Sequence, residues 1–229
     1  MVRSDFITGT SVSARKGVRR TPSQIRTHLS NTLSNDEALA ALQEPEVRRR
    51  AVAGCTAVIW DGSDTRIIRL DALAGVARGG ALPVRRLGSH MQARSNLMLH
   101  TTRSSGRPAV VWAESKLEEL WMIALDRRAD VTGYQSQPCI LVWPIGTKKI
   151  LQIPDLLITT DSGIEIASVR SESLLNDYAR AMLADLMPDT LGAHGIDYTL
   201  RGSMPRQHAV NLRLLGALRW KCPVTREEW

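Results

Sequence analysis

Two acidic residues and one basic residue stand out by their settings. Glu118 lies on an amphipathic, helix-like stretch, Asp155 interrupts an apolar, strand-like run, and Arg170 closes the next such run. Two carboxylates and a cation brought together from consecutive elements can hold a divalent metal beside a phosphate. Carboxylate oxygens are hard ligands suited to Mg²⁺ (Mn²⁺ as substitute), and the metal polarises a phosphoryl oxygen and activates water. Asp155 follows Pro154 and precedes Leu156-Leu157. A carboxylate buried there needs a cation or a metal; a turn-capping Asp is the alternative. Arg170 stays protonated and cannot serve as a base. It can clamp a phosphate through paired N–H groups, or pair with Asp155 as a plain salt bridge, which would make the site structural.

The elements that must position these groups follow from periodicity. Leu117, Leu120, Trp121, Ala124 and Leu125 recur at offsets of three and four, so the spacing predicts a helix over 114–127. Glu118 adjoins that stripe and Glu114 lies one turn earlier on the same face; spacing alone does not choose between them. CILVW then reads as a buried strand entered from Gln137-Pro138, with a turn at Pro144-Ile145-Gly146. ILQIPDLLITT reads as one second strand. Pro154 within it demands an edge or a bulge, and a bulge is a way to re-aim Asp155. In IEIASVR, alternation puts Ile164, Ile166, Ser168 and Arg170 on one face and Glu165, Ala167 and Val169 on the other. Glu165 therefore cannot stand in for an acid at 168; Glu172, just past the strand, is a possible substitute. A helix over 173–187 stopped by Pro188, a fourth strand at 196–200 and a last helix over 206–220 complete the order. If the fourth strand pairs in parallel, the helix before it is the crossover.

This order, with its short motifs, resembles the PD-(D/E)xK nuclease superfamily, and within it the TnsA-like endonuclease subunits of heteromeric transposases. Pro154-Asp155 matches the "PD" step, and Ser115-Lys116-Leu117-Glu118 looks like the helix motif whose last residue is a ligand. Gln137-Pro138 matches the step entering the first strand, and Ser168-Val169-Arg170 stands where the superfamily has Asp/Glu-x-Lys. The resemblance covers roughly residues 55 to 222. It implies an α/β fold with a restriction-endonuclease-like core (helix, three-stranded meander, helix, strand). It also implies metal-dependent hydrolysis of DNA phosphodiesters at transposon ends beside a DDE-type transposase. Glu118 and Asp155 would be the metal ligands, and Ser168 and Arg170 the remaining catalytic positions. Ser168 carries no charge, so a fold without catalysis, serving as a DNA-binding or assembly subunit, is the second reading. A stand-alone restriction or repair nuclease is the third.

The net charge of +7 favours a polyanionic partner, double-stranded DNA first. Residues 1–33 read as a mobile basic arm, since 1–30 carry six Lys or Arg against Asp5 alone. Residues 34–113 read as an extension holding a helix at 34–52, capped by Ser34 with Glu37 three residues on, and a β-hairpin at 55–70. Residues 72–113 lack Asp and Glu and are rich in Gly and Ser, which predicts an irregular basic segment. Arg85, Arg86, Arg94, Arg103 and Arg107, with Gln137, are the candidate DNA contacts. Residues 114–222 are the expected nuclease core and 223–229 a frayed tail. Cys55, Cys139 and Cys222 form no metal or disulfide spacing, and no run suits a membrane span or signal peptide. The expected location is the cytoplasm, at the nucleoid when bound to DNA.

Overall fold

A computed structural model of the chain describes residues 27–60, 65–78, 84, 97–104 and 107–218. Ser34 opens the first helix through a capping box. Its hydroxyl accepts from the N–H of Glu37 at 3.3 Å, and the Glu37 carboxylate accepts from the Ser34 N–H at 2.9 Å. Helix α1 (Asn35–Gln43) ends at Glu44, and Pro45 opens α2 (Pro45–Ala53) at a position where its missing N–H costs nothing. The single helix expected over 34–52 is therefore two.

Strands β1 (Thr56–Trp60) and β2 (Thr65–Arg69) form the expected antiparallel hairpin. Helix α3 (Leu73–Arg78) follows, then β3 (Leu97–Ser104) paired antiparallel with β4 (Arg107–Ala113). The segment 72–113 thus contains a helix and a hairpin where the Gly- and Ser-rich sequence predicted irregular chain. Helix α4 (Lys116–Leu125) buries Leu120, Met122, Ile123 and Leu125. At about 1.5–3 kcal/mol for each large apolar side chain, that stripe holds the helix in place.

The expected meander of CILVW and the two runs after it does not form. Instead β8 (Leu156–Thr160) lies between β5 (Val131–Ser136) and β9 (Ile164–Val169), antiparallel to both. CILVW forms β6 (Cys139–Ile145), which with β7 (Lys148–Gln152) joins β1 and β2 in a second sheet of order β2-β1-β6-β7. The run ILQIPDLLITT is thus split between two sheets. Pro154 cannot continue a ladder, and at Gln137 the backbone turns left-handed, with φ +49. Both chains change sheets at the same level, so the second sheet combines strands from either side of position 114.

Asn176 caps α5 (Asp177–Arg180), which runs through a π-helical segment, Ala181–Leu186, into α6 (Met187–Ala193). Pro188 was expected to end this helix and does not. A π segment just before a proline widens the turn whose carbonyl the ring would strike. The helix ends instead at Gly195, where φ is +68. Strand β10 (Asp197–Arg201) then pairs parallel with β9, completing the order β10-β9-β8-β5, and α7 (Arg206–Leu218) follows.

Two cores flank this sheet. Ile164 and Ile166 pack with Met182, Leu186 and Leu191 of the π segment and α6, and with Ile59 and Trp143 of the other sheet. Ala167 and Val169 pack on the opposite side with Met122 and Leu125 of α4 and Leu212 of α7. The alternation read from IEIASV therefore holds, with helices on both faces. Residues 27–33 are not part of a free arm. Leu29 is buried against Val58, Val142 and Leu151, and Leu33 N donates to Lys149 O on the edge strand β7. Residues 1–26 and 219–229 lie outside the described residues.

Candidate active site

Asp155 sits where β7 ends and β8 begins, at the level where both chains change sheets. Its N–H donates to Ala167 O at 3.1 Å, and its Oδ2 accepts from the Val169 N–H at 2.6 Å. Leu156 pairs with Ala167, so the antiparallel register sets Asp155 opposite Ser168. On its other side, Gln137 N donates to Asp155 O at 2.9 Å. A row of three residues, Gln137, Asp155 and Ser168, thus crosses the end of the sheet. Burial, then the charge of Glu118, and more weakly that of Glu114, push the Asp155 carboxyl up to about 8; the Val169 N–H and the Arg170 charge oppose the rise.

Glu118 is brought to the same region from α4 and is only 7 % exposed. Its carboxylate has a second task. Ser115 Oγ donates to Glu118 Oε1 at 2.8 Å, the Glu114 N–H donates to Glu118 Oε2 at 2.8 Å, and Ser115 Oγ accepts from the Glu118 N–H at 3.1 Å. Glu118 is therefore the third-position acid of a helix cap as well as the neighbour of Asp155.

Ser168 is 1 % exposed, and among the described residues its Oγ has no hydrogen-bond partner. Arg170 is half-buried and anchored by its N–H to Arg201 O at 2.9 Å, and its buried Nε has no partner among the described residues. Among the described residues no salt bridge joins Arg170 to Asp155; its charge reaches that carboxylate only as a field. Gln137, expected at the DNA surface, is instead buried at 3 % exposure, because its backbone is held in the sheet crossover. Arg85, Arg86 and Arg94 lie outside the described residues. Arg103 and Arg107 fall on β3 and β4, and their side chains are likewise outside the description.

Two residues of the site were missed from sequence. Tyr198 pairs in register with Ile166, and its buried hydroxyl lies near the Ser168 hydroxyl. Burial pushes that phenol up to about 12, the Ser168 hydroxyl draws it down, and the Asp155 charge adds to the rise. Parallel pairing of the fourth strand, once assumed, was the signal that could have found it. Glu114 was weighed only as a rival to Glu118, yet both act on Asp155.

The other candidate acids are engaged elsewhere. Glu165, on the opposite face as predicted, is gripped by Arg128 Nη1 at 2.9 Å and Arg201 Nη2 at 2.5 Å. Despite burial, those two cations and the Thr199 hydroxyl hold its carboxyl below the usual range. Arg201 also stacks on the Trp121 ring at 4.9 Å, tying α4 to β10. The exposed Glu172 accepts from the Ser203 N–H at 3.1 and 3.2 Å, so it fixes the loop after β10. Cys55 and Cys139 are buried and free; burial pushes the Cys55 thiol up to about 12 and the Cys139 thiol upward too.

The oxygens a hard cation could meet here are the carboxylates of Asp155, Glu118 and Glu114, with Gln137 and Ser168 as the register neighbours of Asp155. Among the described residues, no three His, Cys, Asp or Glu side chains form a metal-holding group as they stand. No helix of the described residues is long and apolar enough to cross a membrane. No protein-family model matches the chain, and comparison with curated proteins finds no match.

Proposed function

We propose that this chain is a metal-dependent DNA endonuclease of TnsA-like type, with a restriction-endonuclease-like core, acting at transposon ends beside a DDE-type transposase. One observation supports the reading: the antiparallel register sets Asp155 opposite Ser168, two residues before Arg170, and the charge of Glu118 acts on the same carboxyl. The antiparallel β8–β9 pair followed by a helical crossover to the parallel strand β10 agrees with it.

The donor set fits Mg²⁺ or Mn²⁺. Burial and two like charges drive the Asp155 carboxyl toward its neutral form, and a divalent cation relieves that combination. Asp155 and Glu118 would hold it, and a bound cation supplies Lewis-acid activation of the water and the phosphoryl group. Val169 N–H orients the Asp155 carboxylate, and the Ser115 hydroxyl and Glu114 N–H orient that of Glu118. Arg170 meets the phosphate with N–H groups that no salt bridge among the described residues engages, and the net charge of +7 favours the duplex.

A second reading, a nuclease fold without catalysis that binds DNA or assembles the transposase, is favoured by the capping role of Glu118 and the uncharged Ser168. A cleavage assay with transposon-end DNA separates the two. The chain, its DDE-type partner and Mg²⁺ should nick the end, and chelation should stop it. DNA binding without any metal-dependent nicking would favour the second reading. Robust cutting by the chain alone would point to a stand-alone nuclease.

A further inference from the structure

Asp155 has a buried, oxygen-bearing neighbour in register on each side. Gln137 and Ser168 are 3 % and 1 % exposed, and among the described residues Gln137 Oε1 and Ser168 Oγ have no hydrogen-bond partner. A buried amide oxygen without a donor is unfavourable. Gln137 bears a second penalty, because its φ of +49 is left-handed for a residue with a Cβ. Its backbone is locked there: its N–H donates to Asp155 O, and its carbonyl accepts from the Val84 N–H at 3.0 Å. A turn needed only to pass the chain between sheets is better served by glycine. Two penalties at one residue, bonded through its backbone to Asp155, call for a role that the side chain itself performs.

We infer that the Gln137 side-chain carbonyl is a neutral oxygen donor to the divalent cation at the Asp155 site, standing in for the acid that position 168 lacks. This inference rests on the nuclease reading. Amide carbonyls are ordinary ligands of hard cations. A neutral donor also suits this location, since Glu118 and Glu114 already oppose ionisation of Asp155 and a further carboxylate would add to the repulsion. Burial of Gln137 is then a consequence of facing an interior cation rather than the duplex.

Mn²⁺ titration of the full chain by calorimetry, with thermal melts as a folding control, tests this on the wild type, Gln137→Gly, Gln137→Glu and Asp155→Asn. Asp155→Asn should lose binding. Gln137→Gly should weaken the Mn²⁺ Kd by about tenfold or more while melting no lower than the wild type, since glycine relieves the left-handed backbone. Gln137→Glu, which keeps an oxygen donor but adds a charge, should bind Mn²⁺ more tightly than Gln137→Gly; if it does not fold, the glycine variant decides alone. Wild-type affinity in Gln137→Gly, with binding lost in Asp155→Asn, would overturn the inference and leave the nuclease reading standing. No Mn²⁺ binding by the wild type would remove both.

Discussion

The Asp155 carboxylate accepts a hydrogen bond of 2.6 Å from the backbone N–H of Val169, one residue past its register partner Ser168. That bond fixes one oxygen of the acid along β9 and aligns it with the strand that ends in Arg170. It also favours the charged form of a carboxyl that burial, Glu118 and Glu114 all oppose. The site is therefore set up so that its central acid is uncomfortable without a positive ligand.

A pH dependence of stability follows. Burial and the charges of Glu118 and Glu114 hold the folded-state Asp155 carboxyl well above its unfolded value of about 4, pushing it up to about 8. Between those values the native state binds more protons than the unfolded one, so this group's contribution to stability is full below pH 4 and falls as pH rises toward 8. In metal-free buffer, denaturant unfolding of the wild type should show that decline. Asp155→Asn, which cannot ionise, should flatten it and be the more stable protein at pH 8. An unchanged pH slope in the variant would refute the assignment.

Ser115→Ala removes the helix cap and one of the bonds that orient Glu118. The expected loss is about 1 kcal/mol, read as a lower denaturation midpoint with an unchanged slope. A loss near zero would mean that Glu118 is not held from this side.

The Arg128–Glu165–Arg201 group is expected to be structural. Glu165→Ala leaves Arg201 facing a buried gap, while Arg128 keeps Asp130 at 2.6 Å, and should cost about 3–5 kcal/mol. Metal affinity of the protein that remains folded should not change, because Glu165 lies on the opposite face of β9 from Ser168. A loss of metal binding at constant stability would contradict that placement.

Much of this arrangement was legible in the sequence. Ser34 with Glu37 announced a capping box, the stripe from Leu117 to Leu125 announced α4, and Asp155 announced itself as a charge in an apolar run. The alternation in IEIASV assigned faces correctly because both faces of β9 are covered by helices. The sheet membership of CILVW was not legible. A short apolar β-rich run fits any buried sheet, and its partners β1 and β7 are chosen by tertiary packing around Trp143. Pro188 misled because local propensity ends a helix there, whereas the π segment absorbs the ring. The double duty of Glu118 was hidden because a capping box and a ligand motif are written with the same residues.

The central claim is that Asp155 belongs to a phosphodiester-cleaving site. Its most direct test is Mg²⁺-dependent nicking of a transposon-end duplex by wild type and Asp155→Asn, each assembled with the same DDE-type partner and each shown to be folded. The account predicts nicking by the wild type and none by the variant. Equal nicking by both would contradict it.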